Sequence, residues 1–414
     1  MLDPVTLALA LAGSIIVIGF LGNYFLERTG FPDMVFLIVL GILMGPIAKW
    51  VDTGFIMPLA PYFAALALVF ILFDGGMAMN IYRVFRDSPR ATVLALVGFG
   101  LSVAAITLFV FFLLMPDKPI TYSMLLGTIL GGSSSIVVIS LASRMGVSEK
   151  CSTILGLEAA LTDILCIVFT LTILEITLGG TVEPLAIGQK IASKFAIGIV
   201  LGIIFGLLWL STLKRIAKAP YAYILTLAVV LLAYAVSETL GGSGALCCLL
   251  FGMVLGNEKE IYRMLGMERP TETVIDAGLK RFESEVAFLL RTFFFVYIGL
   301  ISTIGDIRIA LLGVTLSLLL LLVRFVAVRI AIVRCSELVK EHLTMNVILT
   351  RGLAAAVLAT LPLQYTDIKK YPEVGPIFQT ISHIYIDISV IVILATAVIV
   401  TVAIPILKRR TKKS

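Results

Sequence analysis

Gly156-Leu157-Glu158-Ala159-Ala160-Leu161-Thr162-Asp163-Ile164-Leu165 sets two carboxylates in the middle of a long apolar run. A charge near the centre of a bilayer costs about 2.5 to 3.5 kcal/mol even on insertion scales, so each acid needs a partner or a task. On a helix that turns about 100° per residue, two residues five apart point about 140° away from each other. Glu158 and Asp163 therefore meet different neighbours, and one can be tied down while the other stays free.

The surrounding chain is built for lipid. Its 414 residues are 60% hydrophobic and 14% charged, with a mean hydropathy of +1.09, a balance that fits a polytopic membrane protein and not a soluble domain. Apolar runs long enough to span, about 17 to 25 residues each, fall at 5–26, 32–49, 58–79, 90–115, 121–143, 151–178, 185–212, 220–238, 242–256, 284–303, 308–334, 343–362 and 381–405. The expected fold class is all-α, with about 13 transmembrane helices. The first run has no basic leader before it and no small-residue cleavage site after it, so it reads as a retained helix.

Thirteen spans put the two ends of the chain on opposite faces, and the loop charges choose which. With the N-terminus outside, 21 of the 32 Lys and Arg residues fall on the cytoplasmic side, including the basic tail at 406–414, and only Lys49, Lys118, Lys190, Lys194, Arg308, Lys369 and Lys370 fall outside. That asymmetry follows the positive-inside rule and predicts a plasma-membrane protein with its C-terminus in the cytoplasm. It also explains the net charge of +6 through anionic lipid at the inner leaflet, not through nucleic acid. The five cysteines have no metal-ligand spacing and read as free thiols. No phosphate-binding glycine loop and no Ser/His/Asp set occurs, so neither an enzyme nor a cofactor is expected.

Two runs are interrupted near mid-span. The fifth contains Gly131-Gly132-Ser133-Ser134-Ser135, and the twelfth contains Thr350-Arg351-Gly352. Paired interruptions of this kind mark inverted repeats of about six helices, each with a broken helix whose free backbone groups line a midplane site. The polar stretch 257–283 reads as the link between the halves.

Asp74, Glu158, Asp163, Arg324, Arg329 and Arg351 stand out as intramembrane ionisable groups, and they must face one another or a watery cavity. Asp163 is the expected carrier. Taking a carboxylate out of water makes its protonated form cheaper, and its hard oxygens suit a small cation, so proton and cation compete for one group. Glu158 is expected to pair with Arg324, with Arg351 as the other possible partner. Ser133, Ser134 and Thr162 offer oxygens beside Asp163, and Asp74 stands near the cytoplasmic end of the third run.

Phe73-Asp74-Gly75-Gly76, Gly131-Gly132-Ser133-Ser134-Ser135-Ile136-Val137-Val138, Glu158 with Asp163, the Arg324 segment and Thr350-Arg351-Gly352 together resemble the monovalent cation/proton antiporter superfamily, in particular its NhaP-type sodium/proton branch. The resemblance implies a homodimer. It also implies dimerisation and interface helices at about 1–80 and 185–303, core helices at about 88–180 and 306–405, and elevator-like alternating access. The family's essential aspartate falls on Asp163, its buried glutamate on Glu158, and that glutamate's arginine on Arg324. This chain departs in having Thr162 where relatives carry Asn or Asp, and Ser133-Ser134 where many carry Thr-Asp. The lost second carboxylate argues for one proton per cation, with Na+ expected and K+ open. The competing reading, the membrane part of a K+ efflux system or a cation channel, predicts current without proton coupling.

Overall fold

A computed structural model describes residues 6, 13–22, 24, 31–51, 60–79, 89–145, 147–179, 184–216, 221–264, 277–303, 305–333 and 335–411. Within these, each of the thirteen apolar runs carries helix, and the chain is an all-helical multi-span membrane protein. In chain order the helices are α1 (Gly13–Gly22), α2 (Asp33–Ile42), α3 (Ala60–Ala78), α4 (Pro89–Leu113), α5 (Ile120–Ile129), α6 (Ser135–Met145), α7 (Glu149–Leu178), α8 (Pro184–Ile216) and α9 (Ala222–Thr239). They continue as α10 (Gly244–Gly256), α11 (Glu258–Met264), α12 (Ala277–Ile301), α13 (Ile307–Ala331), α14 (Ser336–Val339), α15 (His342–Val347), α16 (Leu353–Thr360) and α17 (Gly375–Thr411).

Local chemistry sets many of the ends. Pro89 and Pro184 open α4 and α8, where a missing N–H is not needed. Asp306 and Ser243 cap α13 and α10 by accepting from Arg308 N (2.8 Å) and Leu246 N (3.3 Å). Beyond α2, Pro46 lies inside a single π turn, Leu43–Ile47. A proline cannot donate to the helical ladder, and the wider turn absorbs that loss.

The fifth and twelfth runs are both broken. α5 stops at Ile129 and α6 restarts at Ser135, while α15 stops at Val347 and α16 restarts at Leu353, with a 3₁₀ turn at Leu361–Tyr365. Each broken helix sits between two long ones. α4 precedes and α7 follows the first break, and α13 precedes and α17 follows the second, so the order long–broken–long is written twice. Glycine and hydroxyl residues replace apolar ones at both breaks, so the freed backbone groups are met by protein and not by lipid.

Packing divides the chain into two compact units. One holds residues 1–64, 88–178 and 291–414, and so contains both breaks; the other holds 65–87 and 179–290. In the first unit α4 packs on α13, α5 and α7, and an apolar cluster that includes Leu94, Val138, Leu155, Ala159, Ala327, Met345 and Ile348 fills the space between them. In the second unit Gly198, Gly202 and Gly206 of α8 lie against α10 so closely that a Cβ on either of the first two would stand 2.5 Å from the Ser243 or Cys247 carbonyl oxygen. Close backbone approach of this kind holds helices together where lipid competes equally for apolar side chains.

The six ionisable groups read from the sequence do not complete the set. Buried Asp33 pairs with half-buried Arg291 at 3.2 Å, Glu283 is buried in α12, and Asp387 is buried in α17, where both its oxygens accept from Thr303, from N at 2.7 Å and from Oγ1 at 2.5 Å. Arg329 is exposed in the last turn of α13.

Candidate functional site

The site is built on α7, and two fastenings fix that helix at its start. Ser148 donates from N and Oγ to the two carboxylate oxygens of Glu341, at 2.7 and 2.8 Å, and Lys150 pairs with Glu337 at 2.6 Å. The Lys150 hydrogen bond holds the Glu337 carboxyl below its ordinary range.

Glu158 is 1% exposed and Arg324 6%. The guanidinium grips the carboxylate with two bonds, Nη1 to Oε1 at 2.8 Å and Nη2 to Oε2 at 3.1 Å, while its Nε donates to the Met345 carbonyl at 3.1 Å. A fork of this geometry is the strong form of a charge pair. It also joins α7, α13 and α15 at one point, because each contributes one of the three groups.

The two breaks meet beside it. Ser134 N–H donates to the Thr350 carbonyl at 2.7 Å. The chains lie so close there that a Cβ on Gly352 would stand 2.4 Å from Ser134 Oγ. Gly132 likewise lets the first break press on α7, since a Cβ there would stand 2.6 Å from Cys166 Sγ and 2.9 Å from the Thr162 carbonyl oxygen. Ser133 N–H donates to Thr162 Oγ1 at 3.1 Å, and that hydroxyl donates on to the Ala159 carbonyl at 3.0 Å. Arg351, buried at the second break, donates from Nη1 to Ser133 Oγ at 3.3 Å, and Ser133 Oγ in turn reaches Glu158 Oε1 at 3.5 Å. A small cavity opens on this side, where Ser133, Glu158, Arg324 and Arg351 face Leu320, Val323 and Leu349.

Asp163 lies on another side of α7 and is half-buried. Its Oδ2 accepts from Ser135 Oγ at 3.0 Å. Among the described residues no salt bridge reaches it. The structure thus brings Glu158, Arg324, Arg351, Ser133 and Thr162 into one connected network and leaves Asp163 to Ser135. Ser134 joins the two breaks through its backbone. Asp74 is half-buried on α3, within the second unit. Ser135 is the contact that the sequence expectation did not single out; its signal was only its place at the end of the serine run.

In charge, the four groups Glu158, Asp163, Arg324 and Arg351 sum to zero when Asp163 is ionised. They sum to +1 once that carboxylate holds either a proton or a monovalent cation. Oxygen donors, an ionisable acid and a fixed pair of this kind suit ion exchange and offer no nucleophile–base pair.

Residues 13–409 match the protein family described as "Sodium/hydrogen exchanger, transmembrane". The K(+)/H(+) antiporter NhaP2 of Shewanella sp. (strain MR-4) is 31% identical over 237 residues, 56% of this chain and 41% of that protein. The chain thus spans about two fifths of the length of such relatives. The Na(+)/H(+) antiporter NhaH of Halobacillus dabanensis is 25% identical over 355 residues, 81% of this chain and 84% of that one. The solved structure of the sodium proton antiporter MjNhaP1 from Methanocaldococcus jannaschii at pH 8 superposes with a TM-score of 0.77 over 98% of both chains at 22% identity, which establishes the shared fold.

Proposed function

The chain belongs to the sodium/hydrogen exchanger family, and from that membership we propose that it is a secondary antiporter exchanging a monovalent cation for H+, with Asp163 as the shared cation and proton site. The observation that carries this reading is the division of labour on α7: Glu158 is held in a two-pronged bond by Arg324, while Asp163, half-buried, meets the Ser135 hydroxyl and no ion-pair partner among the described residues. A carboxylate already neutralised by an arginine has little to offer a cation, whereas one met by a hydroxyl can exchange that bond for a metal ion or a proton.

Proton and monovalent cation leave the same charge on the carrier, so a cycle that takes one inward and the other outward moves no net charge. An electroneutral 1:1 exchange follows. Na+ is the first reading of the cation. K+ is the second, favoured by the naming of the 31%-identical relatives as K(+)/H(+) antiporters. Alternating access of the elevator type, a homodimer, and an N-out, C-in orientation in the plasma membrane complete the proposal. The loop-charge asymmetry supports the orientation, and the doubled long–broken–long order supports a carrier over a channel.

In proteoliposomes with an imposed pH gradient, added Na+ or K+ dissipates the gradient, and Asp163→Asn abolishes that dissipation while leaving the protein folded. Exchange that survives Asp163→Asn refutes the assignment.

A further inference from the structure

We propose that Ser135 is a specificity-determining residue of the Asp163 site: its hydroxyl donates to the empty carboxylate and turns its oxygen toward a bound cation, occupying in the unloaded carrier a position that the ion takes over. This deepens the proposed antiport and rests on that reading.

The geometry puts Ser135 Oγ 3.0 Å from Asp163 Oδ2, within hydrogen-bond reach. Ser135 is also the first residue of α6, an eleven-residue helix. The hydroxyls of Thr162 and Ser133 are otherwise engaged. Thr162 Oγ1 lies between Ser133 N and the Ala159 carbonyl, and Ser133 Oγ lies between Arg351 and Glu158.

A hydroxyl has one donor and two acceptor lone pairs. Facing an ionised Asp163 it donates. Facing a protonated Asp163 it accepts, and facing a dehydrated cation it offers a lone pair after its O–H turns away. The hydroxyl is then the one group in this pairing that serves all three states. Any cation binding at Asp163 competes with an existing hydrogen bond, and how well the freed oxygen fits the ion's radius contributes to the choice among Li+, Na+ and K+.

The test uses the full chain in proteoliposomes and compares wild type, Ser135→Ala, Ser135→Gly, Ser135→Thr and Asp163→Asn with Li+, Na+ and K+ across a range of pH. Both hydroxyl deletions are expected to raise the half-saturating cation concentration about tenfold, because losing an oxygen ligand to the bound ion outweighs losing a donor to the empty carboxylate. They also change the order or spacing of the three cations and bring proton inhibition in at higher pH. Ser135→Thr, which keeps the hydroxyl, restores wild-type behaviour. A packing defect alone lowers the maximal rate for all three ions together and leaves half-saturation unmoved. If both deletions keep wild-type half-saturation and selectivity while Asp163→Asn is dead, the role of Ser135 is refuted and the antiport reading stands. If Asp163→Asn remains active, the underlying reading falls instead.

Discussion

Removing one partner of the Glu158–Arg324 pair strands the other as a lone charge among apolar residues, a loss of about 3 to 5 kcal/mol. Glu158→Gln is therefore expected to lower the unfolding temperature of the detergent-solubilised protein strongly. Replacing both partners with leucine costs much less than either single change, because no buried charge is left behind. A single variant that unfolds with the wild type would show the pair to be incidental. At this scale the sequence was readable where periodicity governs: the 140° between Glu158 and Asp163 separates a tethered acid from a free one. It was unreadable in the serine run. Three consecutive serines look alike on paper, and only the residue at which α6 restarts decides that Ser135, and not Ser133 or Ser134, meets Asp163. Asp387 carries the same signal as the other acids in apolar runs, but its partner Thr303 lies 84 residues away in a loop, which spacing along the chain does not reveal.

Between elements, the closest constraint is the crossing of the two breaks. A methyl at Gly352 would lie 2.4 Å from Ser134 Oγ and 2.5 Å from Ser134 Cβ, inside any tolerable contact, and forced overpacking of this kind costs about 1 to 3 kcal/mol. Gly352→Ala is expected to cut exchange and stability together, and Ser134→Gly in the same chain recovers part of both. Absence of recovery in the double variant, with both single variants impaired, would mean that the two residues act through separate contacts. Glycine and hydroxyl residues at mid-span announced that both helices break. Their register against each other was beyond the sequence, because it depends on which carbonyl of one break lies opposite which amide of the other. Here it is Thr350 opposite Ser134.

For the whole molecule, run length carried most of the information, and each of the thirteen apolar runs carries helix among its described residues. How helices group into units was not legible, since α3 and α12 are each continuous helices whose residues are shared between the two. An electroneutral cycle predicts that exchange in proteoliposomes keeps its rate when a potassium-diffusion or ionophore potential is imposed with the exchanged ion held constant. A cycle moving one net charge gains or loses about 2.3 kcal/mol per 100 mV and speeds or slows accordingly. The amide of Ser134 extends this to motion. It belongs to no helix, yet it is buried and bonded to Thr350 across the fold. In deuterium exchange its uptake therefore reports the parting of two segments more than two hundred residues apart in the chain, since the amide takes label only while that bond is open.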